Sequence, residues 1–388
     1  MLTRSIFSGM QILINQGWER NQAVVVENNK IKAIIAADMI KHHLPAKRFE
    51  FSADHYLVPG FIDLHIHGAH GNDVMDATQE ALTAISRSLA VEGVTGFLAT
   101  TMTADNDQIE RVLKAVVSAA SNPEGAAILG IHLEGPFIAK NKMGAQDGEK
   151  VQRPDSKLMK RWQHLAQGAI KIVTLAPELP NALQLIKTLN EMEVVASIGH
   201  TNATYEETSL AIAAGCKQAT HLFNAMRGIH QREPGAVTAL LLANSVKAEL
   251  IVDGLHLHPA IVELAYSLKN KDHILLVTDA MRAKCLGDGQ YELGGQLANV
   301  RGGVATLSDG TLAGSTLRMP QAIKNMVHFS KCSLIDAVKM ASMNPARVLK
   351  LDVKKGTIEL DKDADLVVMN AELEVMMTMR EGKEIFRK

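Results

Sequence analysis

The stretch Tyr56-Leu57-Val58-Pro59-Gly60-Phe61-Ile62-Asp63-Leu64-His65-Ile66-His67 reads as a buried strand that runs out into a pair of histidines. Its apolar residues do not alternate with polar ones, the pattern of a strand covered on both faces. Histidines at i and i+2 on a strand point to one face, so His65 and His67 can grip a single ion together. The same device, an apolar run delivering a polar residue just before a loop, recurs along the chain. Residues 127–133 deliver Glu134, 194–198 deliver His200, 218–220 deliver His221, 248–252 deliver Asp253-Gly254, and 274–278 deliver Asp279. Residues 96–101 and 170–175 are strands of the same type, and helices are expected near 106–120, 182–192 and 205–214. Buried strands alternating with amphipathic helices predict a closed parallel sheet, an α/β fold of the (β/α)8 TIM-like class. Such a barrel gathers its active site at the C-terminal ends of its strands.

Outside this region the pattern changes. Residues 5–14, 23–27 and 30–36 read as short strands, with Asn28-Asn29 as a hairpin signal. After Asp279, residues 291–310 are Gly-rich and strand-like, helices return at 320–329, 333–341 and 344–349, and 356–388 is again short strands with turns. The two ends are expected to join into one small discontinuous β-sandwich domain, residues 1–57 with 355–388. The barrel then spans 58–354 and carries a β insertion near 288–312.

At 388 residues the chain can enclose a large core, so a main domain with a smaller one is the natural division. A formal net charge of -1 gives no global basic field, which argues against nucleic acid or an anionic membrane surface as partner. An anionic substrate therefore needs a local site. Cys216, Cys285 and Cys332 are scattered without C-x-x-C spacing, as suits a reducing compartment and not a disulfide framework. The start, MLTRSIFSGMQILINQGWER, lacks a signal-peptide core, and no run reaches the roughly 18 apolar residues of a membrane span. The expected location is the cytoplasm, with no membrane partner.

The polar residues at the strand ends define the chemistry. His65, His67, Glu134, His200, His221 and Asp279 form a hard-to-borderline donor set suited to Zn²⁺, Fe²⁺, Mn²⁺ or Co²⁺. Singly, each has a bland reading: a structural histidine, or an acid anchoring a loop. Together they require an independent bland account at every strand end. A divalent ion lowers the pKa of water toward about 7 and polarises a carbonyl, so metal-assisted hydrolysis of an amide or imide is the leading reaction class. Asp279, at the last barrel strand, is the candidate to take a proton from water and pass it to a departing amine.

The motifs HIH (65–67), HLEGPF (132–137), GHT (199–201), HLFNAM (221–226), REPG (232–235), DGLHLHP (253–259), VTDAM (277–281) and AGSTLRM (313–319) follow one another along the chain. This order resembles that of the N-acetylglucosamine-6-phosphate deacetylases of the amidohydrolase superfamily, from PGFIDLHIHG near the start to NPARVLKL and ADLVVMN near the end. The resemblance implies Glu134, His200 and His221 as ligands of a principal metal and Asp279 as catalytic acid and base. Retention of His65 and His67 implies room for a second ion, with Glu134 bridging, hence one or two divalent metals per subunit (Zn, Fe, Co, Mn or Ni). It further implies sugar-phosphate contacts at Asn224 and Ala225, a phosphate-binding Arg232, a substrate-contacting His256, and Leu317 and Met319 in the sugar pocket. Phosphate contacts in the family can come from a neighbouring subunit, which implies a homodimer or higher homo-oligomer.

One departure stands out. The family usually shows Gly-Ala-His after HLEGPF, whereas here the stretch is Gly144-Ala145-Gln146. Ala145 and Gln146 remain expected substrate contacts, but an amide cannot shuttle a proton as imidazole can. The expected activity is removal of acetate from N-acetylglucosamine 6-phosphate, giving glucosamine 6-phosphate. The alternatives are the same reaction on N-acetylgalactosamine 6-phosphate, cyclic-amide hydrolysis, and a metal-free sugar-phosphate sensor.

Overall fold

The structure is a computed structural model describing residues 4–14, 17–43, 45–121 and 123–388. Residues 1–3, 15–16 and 44 of the expected first domain segment lie outside the described residues. Eight parallel strands follow chain order around one sheet: β1 (Phe61–Ile66), β2 (Val94–Thr100), β3 (Ala127–Glu134), β4 (Ile170–Leu175), β5 (Val195–Ile198), β6 (Gln218–Ala219), β7 (Lys247–Leu250) and β8 (Ile274–Leu276). Every residue of β1 and β2 is buried, as strands lined by side chains inside and helices outside must be.

β1 and β8 are joined just past the end of β8. Asp279 N donates to His65 O and His67 N donates to Ala280 O, both at 2.9 Å. The buried Asp63 carboxylate stitches the same seam, accepting from Thr278 Oγ1 at 2.6 Å, His65 N at 3.2 Å and Thr278 N at 3.3 Å. Burial pushes its pKa up to about 6, against the pull of Lys284 and of these donors. The barrel therefore closes beside three of the candidate ligands.

The opening stretch turns out to be two strands. Tyr56–Pro59 pairs antiparallel with Leu366–Met369, and the barrel strand begins only at Phe61. Gly60 is the joint: its N–H donates to Asp365 O at 2.8 Å, and a Cβ there would lie 2.3 Å from Thr95 Oγ1. Likewise 5–14 divides at Gly9 (φ +92) into Arg4–Ser8 and Gln11–Ile14, which enter different sheets. One sheet orders Lys30–Ala36, Gln22–Glu27, Arg4–Ser8 and Lys47–Glu50; the other orders Lys383–Arg387, Val375–Arg380, Leu366–Met369, Tyr56–Pro59, Gln11–Ile14 and Gly17–Glu19. Both chain ends thus build the β-sandwich, closed on an apolar cluster that includes Phe7, Ile12, Val24, Leu57, Leu366 and Met377.

The helices at Asn106–Ala120, Ala182–Glu191 and Tyr205–Ala213 match the periodicity closely. Helices Gln79–Ala90, Ser156–Leu165, Gly235–Leu242 and Pro259–Lys269 go beyond it. The insertion is a three-stranded antiparallel sheet, Gly289–Leu293, Gln296–Arg301 and Val304–Thr306, whose Leu293, Ala298 and Val300 pack with Met102 and Met281. Among the described residues no helix is long and apolar enough to cross a membrane.

Candidate metal centre

The C-terminal ends of the strands converge on one cavity of ≈ 360 Å³. β1 brings His65 and His67, β3 brings Glu134, and the turns after β5, β6 and β8 bring His200, His221 and Asp279. The last three have φ of 47°, 30° and 47°. Left-handed backbone at non-glycine residues costs of order 1–3 kcal/mol each and persists where the surroundings impose it, as at binding sites.

Two groups form within this set. His65, His67 and Asp279 offer one ligand atom each within 4.8 Å of one another, and so do Glu134, His200 and His221. Glu134 spans both. Its Oε1 lies 3.1 Å from His221 Nε2 and 3.2 Å from His200 Nε2, while its Oε2 lies 3.3 Å from His67 Nε2. Asp279 Oδ1 sits 3.2 Å from His67 Nε2 and 3.4 Å from His65 Nε2.

The donor chemistry fits a cation in both groups. His200 Nδ1 faces the Lys142 carbonyl at 2.9 Å. A carbonyl only accepts, so Nδ1 carries a proton and the His200 Nε2 is the atom turned toward the His221 Nε2, 3.1 Å away, and toward Glu134. His65 Nδ1 faces Glu249 Oε2 at 3.0 Å, which aims its Nε2 at His67 Nε2, 3.4 Å away. Lone pairs and carboxylates converging in a buried space require protons or metal between them.

In the metal-free chain His65 and His67 take up that charge. Burial opposes it, yet Asp279 and Glu134 push the His67 pKa up to about 9 and, with Glu249, raise that of His65 well above its usual range. Burial works against ionisation of Asp279 and Glu134 too. His65 and His67 hold Asp279 down at about 2, and His65, His200 and His221 hold Glu134 well below the usual carboxylate range.

A sequence profile of the amidohydrolase family, aligned to the chain, covers residues 56–385. The chain belongs to the amidohydrolase family. Among curated relatives, the N-acetylglucosamine-6-phosphate deacetylase of Lysinibacillus sphaericus is 45% identical over 329 residues, 84% of this chain and 85% of that one. The N-acetylgalactosamine-6-phosphate deacetylase of Escherichia coli O157:H7 is 34% identical over 379 residues, 97% and 98% of the two chains. Among solved structures, a mutant N-acetyl-D-glucosamine-6-phosphate deacetylase from Mycobacterium smegmatis in complex with N-acetyl-D-glucosamine-6-phosphate superposes with a TM-score of 0.92 and 33% identity, covering 99% of each chain. Amidohydrolases are metal-dependent, and this one carries groups of buried side chains that could hold an ion.

In this amidohydrolase the cavity lining includes His67, Glu134, His200, His221 and Asp279, and also Ala145, Gln146, Asn224, Ala225 and His256. His65 lies fully buried beneath them. Arg232 is exposed and outside the lining, and Leu317 and Met319 are buried away from it. They anchor a segment tied to the site from behind: Ser315 N donates to Asp279 O at 2.8 Å, and Met319 N donates to Glu92 Oε2 at 3.1 Å. Gln146 is buried and committed at both ends, donating to Glu134 Oε2 at 2.8 Å and accepting from Thr103 N at 2.6 Å. His256 is held by Asp253 Oδ2 at 2.6 Å from its Nδ1. His132 packs edge-on against His65, with its nitrogens at Leu64 O and Thr174 Oγ1.

Other lining residues escaped the sequence reading. Among the described residues Lys142 is the only lysine or arginine in the lining; Met102, Leu293, Thr311 and Leu312 complete an apolar and hydroxyl-bearing wall. The insertion is tied to the rim by Gln296 Nε2, which donates to Ala145 O at 2.8 Å. Lys142 carried one legible signal, a cation a few residues beyond HLEGPF. The rest arrive by folding of distant segments.

Proposed function

We propose that this amidohydrolase removes acetate from N-acetylglucosamine 6-phosphate by metal-assisted hydrolysis. The observation that carries the reading is the Glu134 carboxylate, whose two oxygens are shared between two groups of imidazole nitrogens at the floor of a cavity of small-molecule size. His65, His67 and Asp279 would hold one ion and Glu134, His200 and His221 the other. A divalent ion there supplies activated water at neutral pH and a polarised acyl carbonyl. Asp279, ionised at neutral pH, takes the proton of the attacking water and returns it to the nitrogen of the departing amine. Gln146 keeps Glu134 in place, and Ala145 beside it contacts the sugar.

Asn224, Ala225 and His256 orient the sugar phosphate, with binding energy far from the reacting bond. Lys142 supplies a positive charge from the same chain. Arg232 supplies a guanidinium fork from a second copy of the chain, a reading supported by its exposed position outside its own cavity. A homodimer or larger homo-oligomer follows. Leu317 and Met319 act by shaping the segment behind Asp279. We further propose a zinc- or iron-class ion as the resident metal and the cytoplasm as the location, the latter supported by three cysteines that form no disulfide. The domain division, 1–57 with 355–388 against 58–354, is supported by a sandwich core distinct from the barrel core.

The test is acetate release from N-acetylglucosamine 6-phosphate before and after chelation. The proposal expects activity to vanish with the metal and return on adding a divalent ion. Equal activity in the chelated enzyme refutes it.

A further inference from the structure

We infer that Glu249 is a positioning residue of the metal centre, a buried carboxylate that sets the ring of His65 and, through the backbone, that of His221. The inference rests on the metal-dependent reading above. Glu249 lies in β7 between Ala248 and Leu250 and is fully buried. An acid in a strand buried on both faces is costly unless its oxygens are satisfied. Here they are. Oε1 accepts from Gln218 Nε2 at 2.6 Å, and Oε2 lies 3.0 Å from His65 Nδ1 and accepts from His221 N at 3.1 Å.

A carboxylate only accepts, so the His65 Nδ1 must carry hydrogen. That commits the neutral ring to the tautomer whose Nε2 lone pair points toward His67 and Asp279. The same Oε2 holds the His221 N–H, and the Glu249 carbonyl accepts from Leu222 N at 2.9 Å. These bonds fix the left-handed turn at His221 (φ 30°) that aims its ring at Glu134. The coupling is unequal: His65 is held through its imidazole, His221 only through its backbone. Loss of the charge on residue 249 therefore weakens the His65 position more than the His221 position.

The deciding substitution is Glu249→Gln. It keeps the side chain's shape and removes its charge. Gln218 Oε1 is buried without a partner, so a flip of the Gln218 amide offers an acceptor to the new NH₂ group. Metal per chain is measured by elemental analysis across chelator-buffered free-metal concentrations for wild type, Glu249→Gln and His65→Ala. The expected result is retention of one ion and a loss of about 10–100-fold in affinity for the other in Glu249→Gln. Unchanged affinities, or equal weakening of both ions, overturn the inference. His65→Ala separates the two levels: if it binds as much metal as wild type, the two-ion reading itself fails. If it loses one ion while Glu249→Gln matches wild type, only the role of Glu249 fails.

Discussion

Metal uptake at the His65, His67 and Asp279 position should depend steeply on pH, and the structure sets the size of the effect. His67 is pushed up to about 9 in the metal-free chain, and His65 is raised well above its usual range. A protonated imidazole cannot ligate, so the ion must displace these protons. For His67 alone the competition at pH 7 weakens apparent affinity by about 10² relative to the fully deprotonated ring, close to tenfold per unit of pH below about 8. If His65 must also shed its proton, the slope of log Kd against pH approaches −2. We expect a slope between −1 and −2 from about pH 6 to 9, flattening above, with one to two protons released per ion. Competition against a metal-responsive dye gives the slope, and titration calorimetry in buffers of different ionisation enthalpy counts the protons. An affinity constant from pH 6 to 9, with no proton release, would refute the electrostatic account of the site. Stability of the metal-free chain carries the opposite sign. A histidine raised from about 6.5 contributes fully below that pH and loses its contribution as pH rises through about 9. The metal-free protein should therefore melt lower at pH 9 than at pH 6.

Asp279→Asn should lower kcat by about 10²–10⁴ while substrate still binds, measured by acetate release and by equilibrium titration; a kcat near wild type removes Asp279 from proton transfer. Arg232→Ala should raise KM for the phosphorylated sugar by about 10–100-fold, the worth of a charge-assisted hydrogen bond, and leave turnover of unphosphorylated N-acetylglucosamine unchanged. Equal effects on both substrates would deny Arg232 a phosphate. Asp63→Ala strips the acceptor from His65 N, Thr278 N and Thr278 Oγ1 at the barrel seam. Each orphaned buried donor costs about 1–3 kcal/mol, partly offset by relief of burying the carboxyl, so thermal denaturation should show a net loss of about 2 kcal/mol or more. An unchanged melting temperature contradicts the role given to Asp63 in closing the barrel.

The strand-end residues were legible because each follows an apolar run and stands before a loop, a position visible in one dimension. Glu249 was not, because it lies inside the run that ends at Asp253, and its partners Gln218, His65 and His221 come from other strands and turns far away in sequence. Its one signal was an acid among apolar neighbours in a two-face-buried strand. The divisions at Gly9 and Gly60 were hidden because an apolar run does not record which sheet its halves join. Helix Gly235–Leu242 (GAVTALLL) presents no polar face, so no helical periodicity marked it. Ser156–Leu165 did carry a signal in Asp155, which caps the helix by accepting from Lys157 N and Leu158 N. Gln146 was visible as a departure from the family pattern, but its two-ended commitment to Glu134 and Thr103 could be read only in three dimensions.

The most direct test of the central claim is acetate release from N-acetylglucosamine 6-phosphate and from its 4-epimer, with metal content determined on the same preparation. The account predicts fast release from the first sugar with close to two ions per chain. Preference for the epimer would keep the chemistry and change the substrate. No acetate from either sugar, with metal bound, would contradict the account and bring cyclic-amide hydrolysis forward.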